Sequence, residues 1–412
     1  MLISRQLALL GLFTSSMVAA ESSLVEPCEG YPYPEVVCMK RYGSIMPGNF
    51  IRTVRNILGD ADTYGSTSVP HDSSFSDVSN ATFIIWDTQS APAILGKKPQ
   101  LEFMFEVEMQ PHEAPVFVPA TNELYFTRLK RDYLPQLVVD LAANPPTLSE
   151  KTSSPPIYAP SGSRYRNGSV IFCAGGLNDT DDGNYFRPGI IKLDPQTGQS
   201  ETLLNNYFGY FFNMCDDLDV DSDGIIWFTD PQYSWPDQTS TVAPQIGTAS
   251  YRFDPATGLV QVVEDSLIQP NGIHFSPDGK VLYISDTGSG VAIIDEKVQP
   301  VQPISYNSTG KRTLYAFDVS PDRRALLHKR PLYQAMEYAV DGLKVAENGM
   351  IVAATGRGID VLDKYGAPLV RVQTNFTAMN MQWVGSNYDE LWIVGIGGVA
   401  RLKWNLTGPR FD

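Results

Sequence analysis

Most of the chain consists of short runs in which apolar and polar residues alternate. Gly, Pro, Asn or Asp bound each run, and no apolar stripe of period 3.6 extends over ten residues. Period-two alternation marks strands that bury one face. Residues 213–231, NMCDDLDVDSDGIIWFTDP, show the repeating unit. A polar loop carries the adjacent carboxylates Asp216 and Asp217, a strand runs through Leu218 and Val220, the chain turns at Asp223-Gly224, and a second strand returns. Asp-Gly between apolar runs predicts a hairpin, because glycine accepts the positive φ of a tight turn.

The pattern recurs from Asn271-Gly272 through Asp278-Gly279, from Asp341-Gly342 through Asn348-Gly349, and from His112-Glu113 through Thr121-Asn122. A weaker copy at residues 164–174 turns at Asn167-Gly168, and a last one starts near Asn380. The segments IIKLDP and SYRFDP, each followed by a turn with Thr-Gly, read as later strands of two units. Six units of short strands without helices predict an all-β fold, a six-bladed β-propeller, over a large two-sheet sandwich. Closure needs strands from both chain ends, and the apolar runs between Phe83 and Val107 are the expected N-terminal contribution. Residues 21–80 lack periodicity and are expected to form an irregular N-terminal extension around a propeller of residues 81–412.

Composition narrows the function. With 412 residues and 43% hydrophobic content the chain can bury a large core. A formal charge of −15 without a basic cluster argues against nucleic acid and anionic membranes as partners. Residues 1–20, with Arg5, an apolar stretch from Leu7 to Phe13 and the small residues Val18-Ala19-Ala20, predict a signal peptide and a secreted protein. Nothing else approaches the ~20 apolar residues of a membrane span, and a monomer is expected. Sequons at Asn80, Asn167, Asn178, Asn307, Asn375 and Asn405 fit export and predict glycosylation. Four cysteines suit an oxidising compartment. Cys28 with Cys38, and Cys173 with Cys215, is one arrangement of three that the sequence leaves open.

If the units are blades, the loops before their first strands meet at one mouth of the central channel. Glu113, Asp216, Asn271 and Asp341 would gather there, one from each of four units. An all-oxygen set without Cys suits a hard divalent cation, Ca²⁺ above all.

The stretches NNYFGYFFNMCDDLDVDSDGIIWFTDP, IQPNGIHFSPDGKVLYISDTG and HEAPVFVPATNELYF resemble the gluconolactonase/regucalcin family, most closely its secreted fungal lactonohydrolase branch. The resemblance runs from about Phe83 to the C-terminus. It implies a six-bladed propeller, one catalytic divalent metal and lactone hydrolysis, with Glu113, Asp216, Asn271 and Asp341 in the ligand positions. His112 matches a His that precedes the Glu in the fungal branch. Two departures stand out: Asp216 replaces the family's usual Asn, and Tyr210 stands where the fungal pattern has an Arg. Three consecutive aromatics, Tyr210, Phe211 and Phe212, then point to a flatter, more apolar, secondary-metabolite-like substrate.

The expected chemistry is metal-assisted lactone opening, with Asp341, Asp216 or His112 taking the proton of the attacking water. Tyr210, Phe212 and Asp217 are the expected substrate-side residues, Asp217 by orienting its loop. An alternative is a cyclase of the Diels–Alder type that acts by orienting a reactive intermediate. A further alternative is a propeller that binds a ligand without turning it over.

Overall fold

Inner strands buried along their whole length, such as His112–Val118, and outer strands that face water, such as Thr147–Lys151, show how the alternation is used. The computed structural model of the chain describes residues 23–52, 63–176, 178, 179, 183, 185–291 and 305–410. The expected signal peptide lies outside these residues.

Five sheets are four-stranded antiparallel meanders whose innermost strands are His112–Val118, Pro160–Arg166, Leu218–Val220, Pro270–Phe275 and Thr377–Val384. A further sheet opens on Leu343–Val345. These first strands touch one another in succession, and Thr377–Val384 packs back on His112–Val118, so the ring closes as a β-propeller. The ring is sealed by antiparallel pairing of Gln100–Glu106 with Gly398–Lys403, including Leu101 opposite Leu402. Among the described residues the α-helices, Ser76–Asn80 and Ala91–Leu95, have five residues each.

Five four-stranded blades are present rather than the expected six. The unit that opens at Asp341 is absorbed into a seven-stranded sheet. Its strand Pro368–Gln373 pairs with Phe83–Ile85, which pairs in parallel with Val36–Met39, and Val25–Glu26 completes the edge. Phe83–Ile85 therefore extends this sheet and does not close the ring. The N-terminal extension is also less irregular than its composition suggests. Cys28, Tyr31, Val36 and Cys38 share one apolar cluster with Val370, Trp383 and Trp392. Burying side chains of this kind stabilises by about 1.5–3 kcal/mol each. The disulfides are Cys28–Cys38 and Cys173–Cys215, one of the three arrangements left open by the sequence.

Candidate active site

Bulges place the candidate side chains. Pairing in the first blade slips between Glu113 and Val116, in the fourth between Pro270 and Ile273, and in the last between Ala378 and Asn380. A bulge re-aims the residues at the start of a strand. Ala114, directly after Glu113, and Cys215, directly before Asp216, have φ of 53° and 51°. Gly272 and Gly342 serve close approach, not positive φ. A Cβ on Gly272 would lie 2.4 Å from the Asp341 carbonyl oxygen, and one on Gly342 would overlap the Asn380 amide. The Asn-Gly and Asp-Gly pairs that open these units thus let neighbouring inner strands touch.

Glu113, Asp216, Asn271 and Asp341 are all buried, and the three acids feel one another's charge. Burial first, then Asp341 and Asp216, pushes the Glu113 carboxyl well above the usual range. Burial, Asp341 and Asp217 do the same to Asp216. Burial lifts Asp341 to about 7 against hydrogen bonds from the Tyr338 and Asn271 side chains. Oδ2 of Asp341 has no hydrogen-bond partner, and Glu113 Oε2 accepts from Asn380 Nδ2 at 3.1 Å.

This donor chemistry fits a hard divalent cation: oxygen ligands, mutually repelling acids and an unsatisfied buried carboxylate oxygen. Among the described residues, however, no three Asp, Glu, His or Cys side chains close to within a shared ligand distance. The fit therefore rests on chemistry and on the unsatisfied oxygen.

His112 is fully buried, and its Nδ1 donates to the carbonyls of Gln110 at 2.8 Å and Gly395 at 3.0 Å. With Nδ1 protonated, the lone pair is on Nε2, which has no partner. Burial depresses the imidazole to about 4 and keeps it neutral. Below the acids, Asp217 accepts from the backbone N–H of Leu218 at 2.9 Å and of Ile273 at 3.4 Å. Burial raises it to about 6 against the opposing charge of Lys344. Asp217 is 2% exposed and braces two inner strands, in keeping with orienting its loop. His274 is in the wall of a separate pocket with Arg164, from which its Nε2 accepts at 3.2 Å.

A cavity of about 680 Å³ is lined by Phe103, Met109, Pro111, Met214, Phe376 and Ile396, with Glu106, Asp237 and Arg357 as charged members. None of the four candidate ligands is in its wall; the links to them are Gln110, whose carbonyl accepts from His112 Nδ1, and Met214, two residues before Asp216. Asp237 is exposed at the cavity wall.

The expected aromatic substrate wall lies elsewhere. Phe212 is 2% exposed and packs edge-on against Phe228 and Tyr251, each at 5.3 Å. It is a core residue of the third blade. Tyr210 is 55% exposed on a hairpin tip bridged to Tyr207 and is not part of the cavity wall. The apolar character instead comes from Phe103, in the middle of the strand Gln100–Glu106, and from Met109, Met214 and Phe376 in loops, none with a recurring sequence signature. Asn380 was visible as a unit start. Tyr338 and Asp237 carried no pattern of their own.

Of the expected glycosylation positions, Asn80, Asn167, Asn307, Asn375 and Asn405 are exposed. Asn178 is buried and donates Nδ2 to Asp132 at 2.7 Å.

Comparison with known proteins agrees with this architecture. The SMP-30/gluconolactonase/LRE-like region matches residues 112–299. Lactonohydrolase oryL of Aspergillus oryzae is 55% identical across 94% of this chain and 89% of its own length. Lactonohydrolase oryH of the same organism is 42% identical across 100% of both. A solved gluconolactonase from Xanthomonas campestris superposes with a TM-score of 0.61 at 24% identity, over 76% of this chain and 92% of that one, a likeness of fold. The chain belongs to the SMP-30/gluconolactonase/LRE-like family.

Proposed function

We propose that the protein is a secreted lactonohydrolase that opens lactones with an apolar body, assisted by a divalent cation, Ca²⁺ foremost. The observation that carries the reading is the buried set of Glu113, Asp216 and Asp341, with Asp341 Oδ2 unpaired, beside a largely apolar cavity. Two disulfides suit an oxidising, extracytoplasmic compartment. The four strands from Leu343–Val345 to Pro368–Gln373 are read as the sixth blade, extended by the arm.

Glu113, Asp216, Asn271 and Asp341 would hold the cation, which supplies Lewis-acid polarisation of a carbonyl. The chain's own residues do the rest. The cavity takes the apolar part of the lactone and excludes water from it. The unpaired Oδ2 of Asp341 accepts a proton from the attacking water. The water oxygen bonds to the carbonyl carbon, the ring C–O bond breaks, and the proton passes to the departing alkoxide to give a hydroxy acid. His112 Nε2 offers a second proton acceptor, neutral at working pH.

The test is turnover of lactones with alkyl or aryl substituents, with and without EDTA, by wild type and Asp341→Ala. Turnover indifferent to both treatments rejects the mechanism. The apolar cavity also suits a cyclase that folds a reactive intermediate, and mass spectrometry separates the two. Hydrolysis adds one water, whereas cyclisation yields an isomer.

A further inference from the structure

The connection from Pro368–Gln373 to Thr377–Val384 carries Asn375-Phe376-Thr377, one of the sequons, and all three of its residues line the cavity. The other exposed sequon asparagines, Asn80, Asn167, Asn307 and Asn405, are outside the cavity wall. The backbone of the connection is tied to a neighbouring turn. Arg357 Nη1 donates to the Asn375 carbonyl at 2.6 Å, the Thr374 N–H to the Arg357 carbonyl at 2.9 Å, and the Ala378 N–H to the Gly356 carbonyl at 2.7 Å. Asn375 itself is exposed, and among the described residues no hydrogen bond engages its side chain. Its amide is therefore presented from a fixed base at the rim of the cavity.

Beside Asn375 the rim is apolar and open. Phe103 is half-exposed and meets Phe376 edge-on at 6.2 Å, and Met109 is 73% exposed. Two glycines seat these side chains together. A Cβ on Gly398 would lie 2.4 Å from Phe376 and 2.8 Å from Phe103, and one on Gly397 would lie 2.6 Å from Met109 Sδ. An exposed apolar surface at a binding cavity is one that a ligand or another covering group protects from water. The C–H groups of a sugar carry slight positive charge and settle on the negative face of an aromatic ring, so the inner sugars of a glycan on Asn375 have Phe103 to lie against.

We propose that Asn375 carries an N-linked glycan that stands over the cavity mouth, screens Phe103 and Met109 from water, and limits the size of the lactone that enters. The modification is made during export. The Asn375 amide nitrogen bonds to C1 of the first N-acetylglucosamine of a lipid-pyrophosphate-linked oligosaccharide, the C1–O bond to the pyrophosphate breaks, and the amide proton leaves with the departing lipid pyrophosphate. This rests on the secreted lactonohydrolase reading, and two of the measurements below do not depend on turnover.

The full chain, with its own residues 1–20, is expressed in a fungal host as wild type, Asn375→Gln and Asn167→Gln. Peptide mass spectrometry of the secreted wild type should find Asn375 glycosylated. Oxidation of Met109 by hydrogen peroxide, followed on its peptide, should run about threefold faster in Asn375→Gln than in wild type. The ratio of kcat/KM for a bulky aryl lactone to that for a small one should rise about fivefold in Asn375→Gln. It should stay at the wild-type value in Asn167→Gln, whose glycan is on a hairpin turn outside the cavity wall. Wild type trimmed to a single sugar by an endoglycosidase should lie between wild type and Asn375→Gln in both measurements, which separates the glycan from the side chain. A bare Asn375, a Met109 oxidised equally fast in both proteins, or an unchanged ratio in Asn375→Gln each overturn the proposal. Bare sequons throughout overturn the export reading as well. A wild type that opens no lactone overturns the functional reading, and site occupancy and Met109 oxidation then decide the proposal.

Discussion

Asn380 donates its side-chain amide to Oε2 of Glu113 at 3.1 Å, while its own Oδ1 accepts from the Met381 N–H at 2.9 Å. The last blade thereby orients an acid presented by the first. A hydrogen bond to a charged group contributes about 1.5–3 kcal/mol. Asn380→Ala should accordingly lower kcat/KM by roughly ten- to a hundredfold. Asn380→Asp should do worse, because it adds a carboxylate against one that already resists ionisation. Steady-state rates of the three proteins decide this. An Asn380→Asp variant as active as wild type would remove Glu113 from the working site.

The repulsion among the acids also predicts a pH-dependent stability in chelator. Asp341 titrates near 7 when folded and near 3.8 when unfolded, so the native state binds the extra proton between these values. Its contribution is complete below about pH 4 and is lost as pH rises through 7. Asp341→Asn cannot ionise and escapes the loss. In EDTA its Tm should exceed that of wild type by several degrees at pH 8 and match it at pH 4. Adding Ca²⁺ should raise the Tm of wild type at pH 8 and leave the variant nearly unchanged. Equal melting at pH 8 in EDTA would show that Asp341 is not a strained acid.

Much of this was legible in the chain because period-two alternation and Asn-Gly or Asp-Gly turns are local signals. The hairpin at Asn167-Gly168, with φ of 49° and 79°, needs no distant contact to be recognised. Glu113, Asp216, Asn271 and Asp341 stand out as candidates for a related reason, since each opens a repeated unit. What escaped was set by long-range packing. Phe212 and Tyr210 are neighbours in an aromatic run, yet one is sealed between blades and the other faces water. Val36–Met39 is too short to announce itself as a strand and depends on Phe83–Ile85 for its pairing. Asn380 had the right position, but its role follows from a bond across 267 residues.

The Cys173–Cys215 bridge ties the second blade to the residue before Asp216. Ser161 Oγ donates to the Cys215 carbonyl at 2.8 Å, and Gly162 leaves no space for a Cβ beside Asp216. Removing both cysteines should cost about 2–4 kcal/mol and lower kcat more than the equivalent change at Cys28 and Cys38, which lie in the arm. Denaturant melts and rates of the two double variants test this. Equal kinetic losses would show that the bridge does not tune the Asp216 loop.

Glycan occupancy should follow exposure. Asn80, Asn167, Asn307, Asn375 and Asn405 are exposed, Asn405 with its Nδ2 donating to the Ala93 carbonyl at 3.2 Å, whereas Asn178 is buried and bonded to Asp132. Intact-mass analysis of protein secreted from a fungal host should show Gln substitution removing one glycan at any of the five. Asn178→Gln should leave the mass of attached sugar unchanged and lower Tm, because it disturbs a buried hydrogen bond. A glycan on Asn178 would mean that this amide is free in the native protein.

The site of substrate selection is the last point open to direct test. Phe103 and Phe376 meet edge-on at 6.2 Å in the cavity wall. Phe376 is buried, so its truncation would confound stability with binding. Phe103 is 49% exposed and can be truncated at little cost to the fold. An apolar substituent covering that ring gains about 1–2 kcal/mol. Phe103→Ala should therefore lower kcat/KM roughly tenfold for lactones with alkyl or aryl substituents, and far less for an unsubstituted small-ring lactone. Tyr210→Ala, on its hairpin outside the cavity wall, should change either rate less than about twofold. The opposite ranking, with Tyr210→Ala selective and Phe103→Ala silent, would move substrate recognition out of the cavity and onto the aromatic hairpin.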